Sequence, residues 1–107
     1  MTVLEAARRL PQLRQLVYAS SSSVYGNRTD GAFSEADRVD APQSLYAATK
    51  RADELMSSVY CDAYGLAATG LRFFTVYGPM GRPDMAYWTF AEKMLRGEPI
   101  VAYDGGR

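Results

Sequence analysis

A long helix between two apolar strands is the sequence feature that most constrains the fold. Apolar residues between Ser44 and Tyr64 recur at the spacing of one helix face, and Gly65 follows as a helix stop. The residues on this face are Leu45, Ala48, Ala52, Leu55, Met56, Val59 and Ala63. Apolar runs at 15–20 and 71–77 flank the helix and predict buried strands. A strand, a helix and a second strand in this order predict an α/β fold with a parallel sheet.

Shorter elements are predicted on both sides of this unit. The pattern of Thr2–Glu5 is that of a capping box, which predicts a short helix that ends before Pro11. A polar stretch at 26–42 predicts a long loop. Residues 85–96 predict a third helix and residues 100–103 a short strand.

Composition excludes several kinds of site. The 107 residues include no His and one Cys, so this chain supplies neither a histidine base nor a zinc cluster, and we expect no metal site. With a net charge of zero, nothing in the composition indicates a nucleic-acid partner or an anionic membrane surface, and we expect neither. Because Cys61 cannot form an internal disulfide, we expect a cytoplasmic protein.

Tyr46 and Lys50 are the candidate catalytic pair. Residues four apart share a helix face, so the ammonium of Lys50 would lie beside the phenol of Tyr46 and lower the tyrosine pKa toward a range useful for proton transfer. A hydroxyl from the run Ser20–Ser23 would bridge Tyr46 and a substrate hydroxyl. Such a site oxidises or reduces an alcohol, and because side chains do not accept hydride, a nicotinamide cofactor is expected.

These groups are expected to meet at one edge of the sheet. The serines end the first predicted strand, residues 75–77 end the second, and Tyr46 and Lys50 begin the helix between them. Ligands of parallel α/β sheets bind outside the carboxyl ends of the strands. The sequence therefore predicts a ligand site at this edge.

Three motifs follow one another along the chain: YASSSSVYG at 18–26, PQSLYAATK at 42–50 and GLRFFTVYGP at 70–79. Together they resemble the extended short-chain dehydrogenase/reductases, the NAD-dependent sugar-nucleotide epimerases and dehydratases. The continuation GRPDMA at 81–86 resembles the UDP-glucuronate 4-epimerase branch. The resemblance covers the chain from residue 16 to residue 106.

This resemblance implies catalytic roles for the polar residues. Tyr46 is implied as the base that takes the proton of the sugar C4 hydroxyl while hydride passes to NAD. Lys50 is implied to assist Tyr46 and to bind the nicotinamide ribose. Ser21 is the first choice for the catalytic serine, because it stands three residues before the valine of its motif, and Ser22 and Ser23 remain alternatives. The implied reaction is oxidation to a 4-keto sugar, rotation of that intermediate and re-reduction from its other face.

Binding roles follow from the same resemblance. Phe73, Thr75 and Val76 would line the cofactor pocket together with the catalytic pair. The serines 21–23 would contact the UDP-sugar substrate. Thr75 and Arg82 are candidates for a sugar carboxylate, because a hydroxyl donor and a guanidinium suit that anion.

The resemblance also implies a domain organisation. Residues 1–80 correspond to the C-terminal half of a Rossmann-like dinucleotide domain with flanking helices, and residues 81–107 to the start of a substrate-binding region. The chain has no GxxGxxG turn, so we expect the isolated chain to lack a pyrophosphate site and to be inactive.

Alternative functions stay open at this point. Dehydratases of the family carry Thr-Asp-Glu where this chain has Ser21, Ser22 and Ser23, which favours epimerisation over a dehydratase or reductase. Met80 stands where the glucuronate branch usually has Trp. A different class of function is a non-catalytic fragment that forms a homo-oligomer through the 44–64 helix, as relatives resembling this chain do. NAD binding separates the classes, since only an enzyme needs the cofactor.

Overall fold

The computed structural model of the chain describes residues 1–29, 31–102 and 105. The chain divides into two units, residues 1–74 and 75–107. The elements of the first unit are α1 (Thr2–Arg8), β1 (Leu16–Ser21), a 3-10 helix (Ser22–Tyr25), α2 (Leu45–Tyr64) and β2 (Ala68–Phe73), and the second unit contains α3 (Ala86–Arg96).

The helix predicted at 44–64 is confirmed as α2. Ser44 is its N-cap, and the Ser44 hydroxyl accepts a hydrogen bond from the Ala47 backbone N–H at 3.0 Å. Gly65 ends the helix with a left-handed φ of 65°. The helix predicted at 85–96 is confirmed as α3, which Gly97 ends in the same conformation.

The two strands form a parallel sheet, which confirms the predicted α/β class. Their register runs from Leu16 opposite Ala68 to Ser21 opposite Phe73. Helix α2 connects the strands in the sequence and contacts both of them. The carboxyl ends of β1 and β2 therefore lie side by side at one edge of the sheet.

The second strand lies about three residues earlier than the sequence predicts. β2 begins at Ala68 and ends at Phe73, where its neighbour β1 also ends, so Thr75 to Tyr77 lie beyond the sheet. Its early part includes Gly70, whose missing side chain leaves space for the ring of Tyr18, since a Cβ there would lie 2.6 Å from that ring. The strand predicted at 100–103 is wrong for residues 100–102, which form no strand, and residue 103 lies outside the described residues.

Helix α1 is present as predicted, but the capping box is not. Met1 is the N-cap and makes no side-chain cap, so Thr2 is already helical. The carboxylate of Glu5 instead accepts hydrogen bonds from Arg8 at 2.7 Å and from the Tyr60 hydroxyl at 2.6 Å. These bonds lower the pKa of Glu5 to about 2 and tie α1 to α2. The apolar core at this contact consists of Leu4, Ala7, Tyr60 and Leu66, with Leu16 and Met56 against it.

The apolar face predicted for α2 is mostly exposed. Leu45, Leu55 and Val59 are 83%, 53% and 60% exposed. The buried residues of the helix are Ala47, Ser57 and Tyr60. Helix α2 therefore packs on the sheet through small and polar side chains, and its large aliphatic residues point to solvent.

The loop predicted at 26–42 is confirmed, since its described residues form no helix or strand. Gly26 begins it with a φ of 71°, a left-handed conformation that favours glycine. A Cβ on Gly26 would lie 2.7 Å from the carbonyl oxygen of Ala41. The start of the loop is thus held close to its end by a contact that only glycine permits.

Replacing Gly26 tests this contact, with Gly31 as the matched control. Gly31 has a φ of 70°, but a Cβ on it would have no atom within 4 Å. We expect Gly26→Ala to lower the free energy of unfolding by about 2–4 kcal/mol, because backbone strain and a clash add, and Gly31→Ala by about 1 kcal/mol from strain alone. Urea unfolding measures both. Equal losses for the two variants would contradict the close approach.

Candidate active site

The serine run places adjacent hydroxyls on opposite sides of the sheet. Ser20 and Ser21 are the last residues of β1, and successive strand residues point to opposite faces. Ser20 is buried, and its hydroxyl donates to the Glu54 carboxylate on α2 at 2.6 Å. Ser21 therefore projects from the face away from Glu54, at the carboxyl end of the strand.

The hydroxyl of Ser21 is held by Ser23. The Ser21 oxygen accepts hydrogen bonds from the Ser23 backbone N–H at 3.2 Å and from the Ser23 hydroxyl at 2.9 Å. A hydroxyl has two acceptor positions and one donor hydrogen. Because Ser21 is the acceptor in both bonds, its own hydroxyl hydrogen takes part in neither of them. Ser22 and Ser23, the alternative candidates, belong to the 3-10 helix that follows.

Lys50 connects the helix to the strand beside this serine. Its ammonium donates to the carbonyl oxygen of Ala19 at 3.1 Å and lies 3.6 Å from the Asp53 carboxylate. Tyr46 is one turn earlier on α2 and is 56% exposed. Helix α2 also contacts the 3-10 helix. Tyr46 and Lys50 are thus on the helix that packs against β1 and the 3-10 helix, and their meeting with Ser21 stays a prediction.

A partly buried carboxylate lies one turn further along α2. Glu54 is one turn after Lys50, and its side chain is 9% exposed. One oxygen accepts from Ser20 and from Arg72 Nε at 2.8 Å, and the other accepts from Arg72 Nη2 and Arg51 Nη1, both at 3.0 Å. We call Ser20, Arg51, Glu54 and Arg72 the Glu54 cluster.

The Glu54 cluster is charged at neutral pH. Burial raises the pKa of Glu54, but the hydrogen bonds from Arg72 and Ser20 outweigh burial and hold that pKa below its ordinary value of 4.5. The same carboxylate raises the pKa of Arg72 above its ordinary value. Sequence reasoning missed this cluster. Two sequence features indicate such a cluster: Arg72 interrupts an apolar strand, and Glu54 lies one helical turn after Lys50.

Aromatic side chains surround the other side of Arg72. Its guanidinium lies 4.9 Å from the ring centroid of Tyr25, which is itself 4.9 Å from the ring of Phe33. These residues line a cavity of about 590 Å³ together with Phe73 and Phe74. Phe73, the predicted cofactor contact, therefore ends β2 opposite Ser21 and lies at this cavity.

Three predicted binding residues belong to the second unit, and their roles beside Tyr46 stay predictions. The carbonyl oxygen of Val76 accepts from the Tyr87 hydroxyl at 3.3 Å. The guanidinium of Arg82 binds both oxygens of Asp84, at 3.0 and 2.5 Å, and lowers the pKa of that carboxyl. Thr75 is the first residue of the unit.

The part of the chain that the structure describes holds no cluster for a metal ion, since no three of its His, Cys, Asp or Glu residues are arranged to bind one. Among the same residues, no helix has both the length and the apolar character needed to span a bilayer.

Comparison with known proteins gives the family. Residues 1–107 match the NAD dependent epimerase/dehydratase family. UDP-glucuronate 4-epimerase 1 from Arabidopsis thaliana is 54% identical over 105 residues, which are 98% of this chain and 24% of the relative. The predicted family is therefore confirmed.

Solved structures agree with the sequence match. UDP-glucuronic acid 4-epimerase from Bacillus cereus, in complex with UDP-glucuronic acid and NAD, is 39% identical with a TM-score of 0.84, covering 96% of this chain and 32% of that chain. The dTDP-glucose 4,6-dehydratase DesIV from Streptomyces venezuelae, with NAD bound, is 29% identical with a TM-score of 0.82, covering 94% of this chain and 31% of that chain.

The chain thus spans about a quarter to a third of the length of these relatives. The likeness confirms the predicted Rossmann-like class, and NAD is the cofactor of the family. The chain belongs to the NAD dependent epimerase/dehydratase family.

Proposed function

We propose that this chain carries the proton-transfer residues of an NAD-dependent UDP-sugar 4-epimerase. The observation that carries the proposal is the bond from Lys50 to the Ala19 carbonyl. It brings the helix of Tyr46 to the end of β1, which carries a serine whose hydroxyl hydrogen takes part in neither of its bonds with Ser23. A base, a cation and a hydroxyl donor at one sheet edge are the groups that alcohol oxidation requires.

The proposed roles follow from the chemistry of each side chain. Tyr46 takes the proton of the sugar C4 hydroxyl, and Ser21 donates its hydrogen bond to the same sugar oxygen. Lys50 holds the helix of Tyr46 against β1 through its bond to the Ala19 carbonyl. When bound, NAD would supply the hydride acceptor for oxidation at C4 and the hydride donor for the later reduction. After rotation of the 4-keto sugar, Tyr46 returns the proton to the oxygen, which completes inversion at C4.

The residues of this chain would contact the nicotinamide half of NAD, but they supply no pyrophosphate site. Tyr46 is exposed and Lys50 is one turn away on the same helix, and a nicotinamide ribose would contact both side chains. Phe73, with Thr75 and Val76 after it, would line the nicotinamide. A pyrophosphate needs backbone N–H groups of a Gly-rich turn at a helix N-terminus, and this chain has no GxxGxxG. We therefore assign residues 1–80 to the nicotinamide side of the site.

A sugar carboxylate is the proposed feature of the substrate. Arg82 already binds a carboxylate through two parallel hydrogen bonds, because Asp84 lies against it. A glucuronate carboxylate would take the place of Asp84, with Thr75 as a second donor. Residues 81–107 would then begin the substrate-binding region, and the UDP-glucuronate 4-epimerase relatives support this choice of sugar.

The fold does not distinguish an epimerase from a dehydratase. The residues of the chain favour epimerisation. The chain is similar to both an epimerase and a dehydratase at nearly equal TM-scores of 0.84 and 0.82. Elimination of water needs an acid and a base beside the sugar. The chain has Ser22 and Ser23 at the positions where the dehydratases of the family carry Asp and Glu.

A chimera tests the proposed reaction. Residues 1–107 replace the matching third of the Bacillus cereus enzyme, and conversion of UDP-glucuronic acid is followed by chromatography. We expect an active chimera in which Tyr46→Phe lowers kcat by about 10²–10⁴-fold, the usual contribution of a general base. Tyr64→Phe, at an exposed tyrosine of the same helix, is the matched control and should leave kcat unchanged. A folded, NAD-binding chimera that is inactive, or one whose rate survives the Tyr46→Phe substitution, would contradict the proposal.

The exposed face of α2 supports a second proposal, self-association. Leu45, Leu55 and Val59 form an aliphatic surface on this helix, and surfaces of this kind are typical of interaction sites. The two-stranded sheet also has open edges, which favour association. We propose that the chain forms a homo-oligomer through the helix predicted at 44–64.

Light scattering of the purified chain tests this second proposal. We expect a mass of at least a dimer, and Leu55→Lys with Val59→Lys should give a monomer because two desolvated ammonium groups oppose burial. Leu95→Lys, at a leucine of α3 that is 90% exposed, is the control and should not change the mass. A sharp monomer mass for the unmodified chain would rule the proposal out.

A further inference from the structure

The Glu54 cluster joins the three elements that carry the proposed site residues. Glu54 is on α2 with Tyr46 and Lys50. Its carboxylate binds Ser20, which directly precedes Ser21 on β1, and Arg72, which directly precedes Phe73 on β2. A single carboxylate thus fixes the end of each strand against the catalytic helix.

The geometry of this cluster leaves little freedom. The carboxylate receives four hydrogen bonds, and a planar guanidinium bound through two nitrogens fixes orientation as well as distance. Because the side chain is 9% exposed, water compensates poorly for a lost partner, and each broken bond weakens the pairing of this charge. The strand ends therefore cannot shift relative to α2 without breaking charge-assisted bonds.

The position of Ser20 also determines the direction of Ser21, because adjacent strand residues point to opposite faces. Holding Ser20 on the Glu54 side keeps Ser21 on the opposite face, where Ser23 binds its oxygen. On the helix, Lys50 reaches the carbonyl of Ala19, the residue before Ser20. Glu54 and Lys50 thus bind adjacent residues of the same strand end from one helix.

We infer that Glu54 is a positioning residue: its carboxylate sets the direction of the Ser21 hydroxyl and the register of α2 against β1, without touching the substrate. The catalytic meaning of this arrangement rests on the proposed function. The arrangement itself is a property of the 107-residue chain and is tested on that chain.

Amide hydrogen exchange of Glu54→Gln provides the test. The reporters are the N–H groups of Ser23, which donates to Ser21, and of Gly26, which donates to the Ser23 carbonyl. We expect their exchange to be faster by about tenfold or more, the scale of a lost charge-assisted hydrogen bond. The N–H of Arg9, which ends α1, should exchange at an unchanged rate relative to global unfolding.

Glu5→Gln is the matched control. Glu5 is also bound by arginine and by a hydroxyl, but between α1 and α2. Its replacement should speed exchange at Arg9 and leave Ser23 and Gly26 unaffected. Equal acceleration everywhere in Glu54→Gln, or none at the two reporters, would overturn the inference.

A milder variant covers the case in which Glu54→Gln does not fold. Ser20→Ala removes one hydroxyl and leaves the ion pairs of Glu54 in place. We expect faster exchange at Ser23 with little change at Arg9, and no change at Ser23 would overturn the inference.

Kinetics of the chimera separate this inference from the proposed function. If the unmodified chimera is active, Glu54→Gln should lower kcat while KM for NAD stays constant, and full activity would overturn the inference. If the unmodified chimera is inactive, the proposed function fails, and the exchange data alone decide whether Glu54 orders the serine.

Discussion

A partly buried carboxylate between two arginines is the interaction on which the first unit depends. Removing Glu54 and Arg72 from water is costly, and the cost is offset only when both are paired with good geometry. The cluster meets this condition through hydrogen bonds from Ser20, Arg51 and Arg72. Since these residues come from both strands and from α2, the pairing requirement itself selects one arrangement of helix on sheet.

The polar character of this contact explains why α2 has two unlike faces. Its inner face carries Ala47, Glu54, Ser57 and Tyr60, which are small or have polar partners. Its aliphatic residues Leu45, Leu55 and Val59 are exposed. A helix whose apolar stripe does not form the core of its own unit is consistent with the proposed self-association.

The sequence predicted those features that local chemistry decides. Ser44 and Gly65 set the ends of α2 because each satisfies a helix terminus, and the order of elements predicted the parallel sheet. Features that depend on distant partners were missed. β2 ends where its partner β1 ends, which no residue of the run 71–77 indicates. The pairing of Glu54 with Arg72 joins residues 18 positions apart and has no local pattern. The same distinction holds for the candidate site. Helical spacing alone predicts that Tyr46 and Lys50 share a face. The choice among the serines depends on tertiary contacts, because Glu54 binds the hydroxyl of Ser20 and Ser23 binds that of Ser21.

The most direct test of this account is the titration of Glu54 by carbon-13 NMR of its carboxyl carbon. Burial alone would raise the pKa of Glu54 above 4.5, whereas hydrogen bonds from Arg72 and Ser20 lower it. The account predicts a pKa below 4.5 in the native chain and a rise in that pKa in Arg72→Met. A pKa at or above 4.5 in the native chain would show that the cluster does not hold the strands against α2, and would contradict the account.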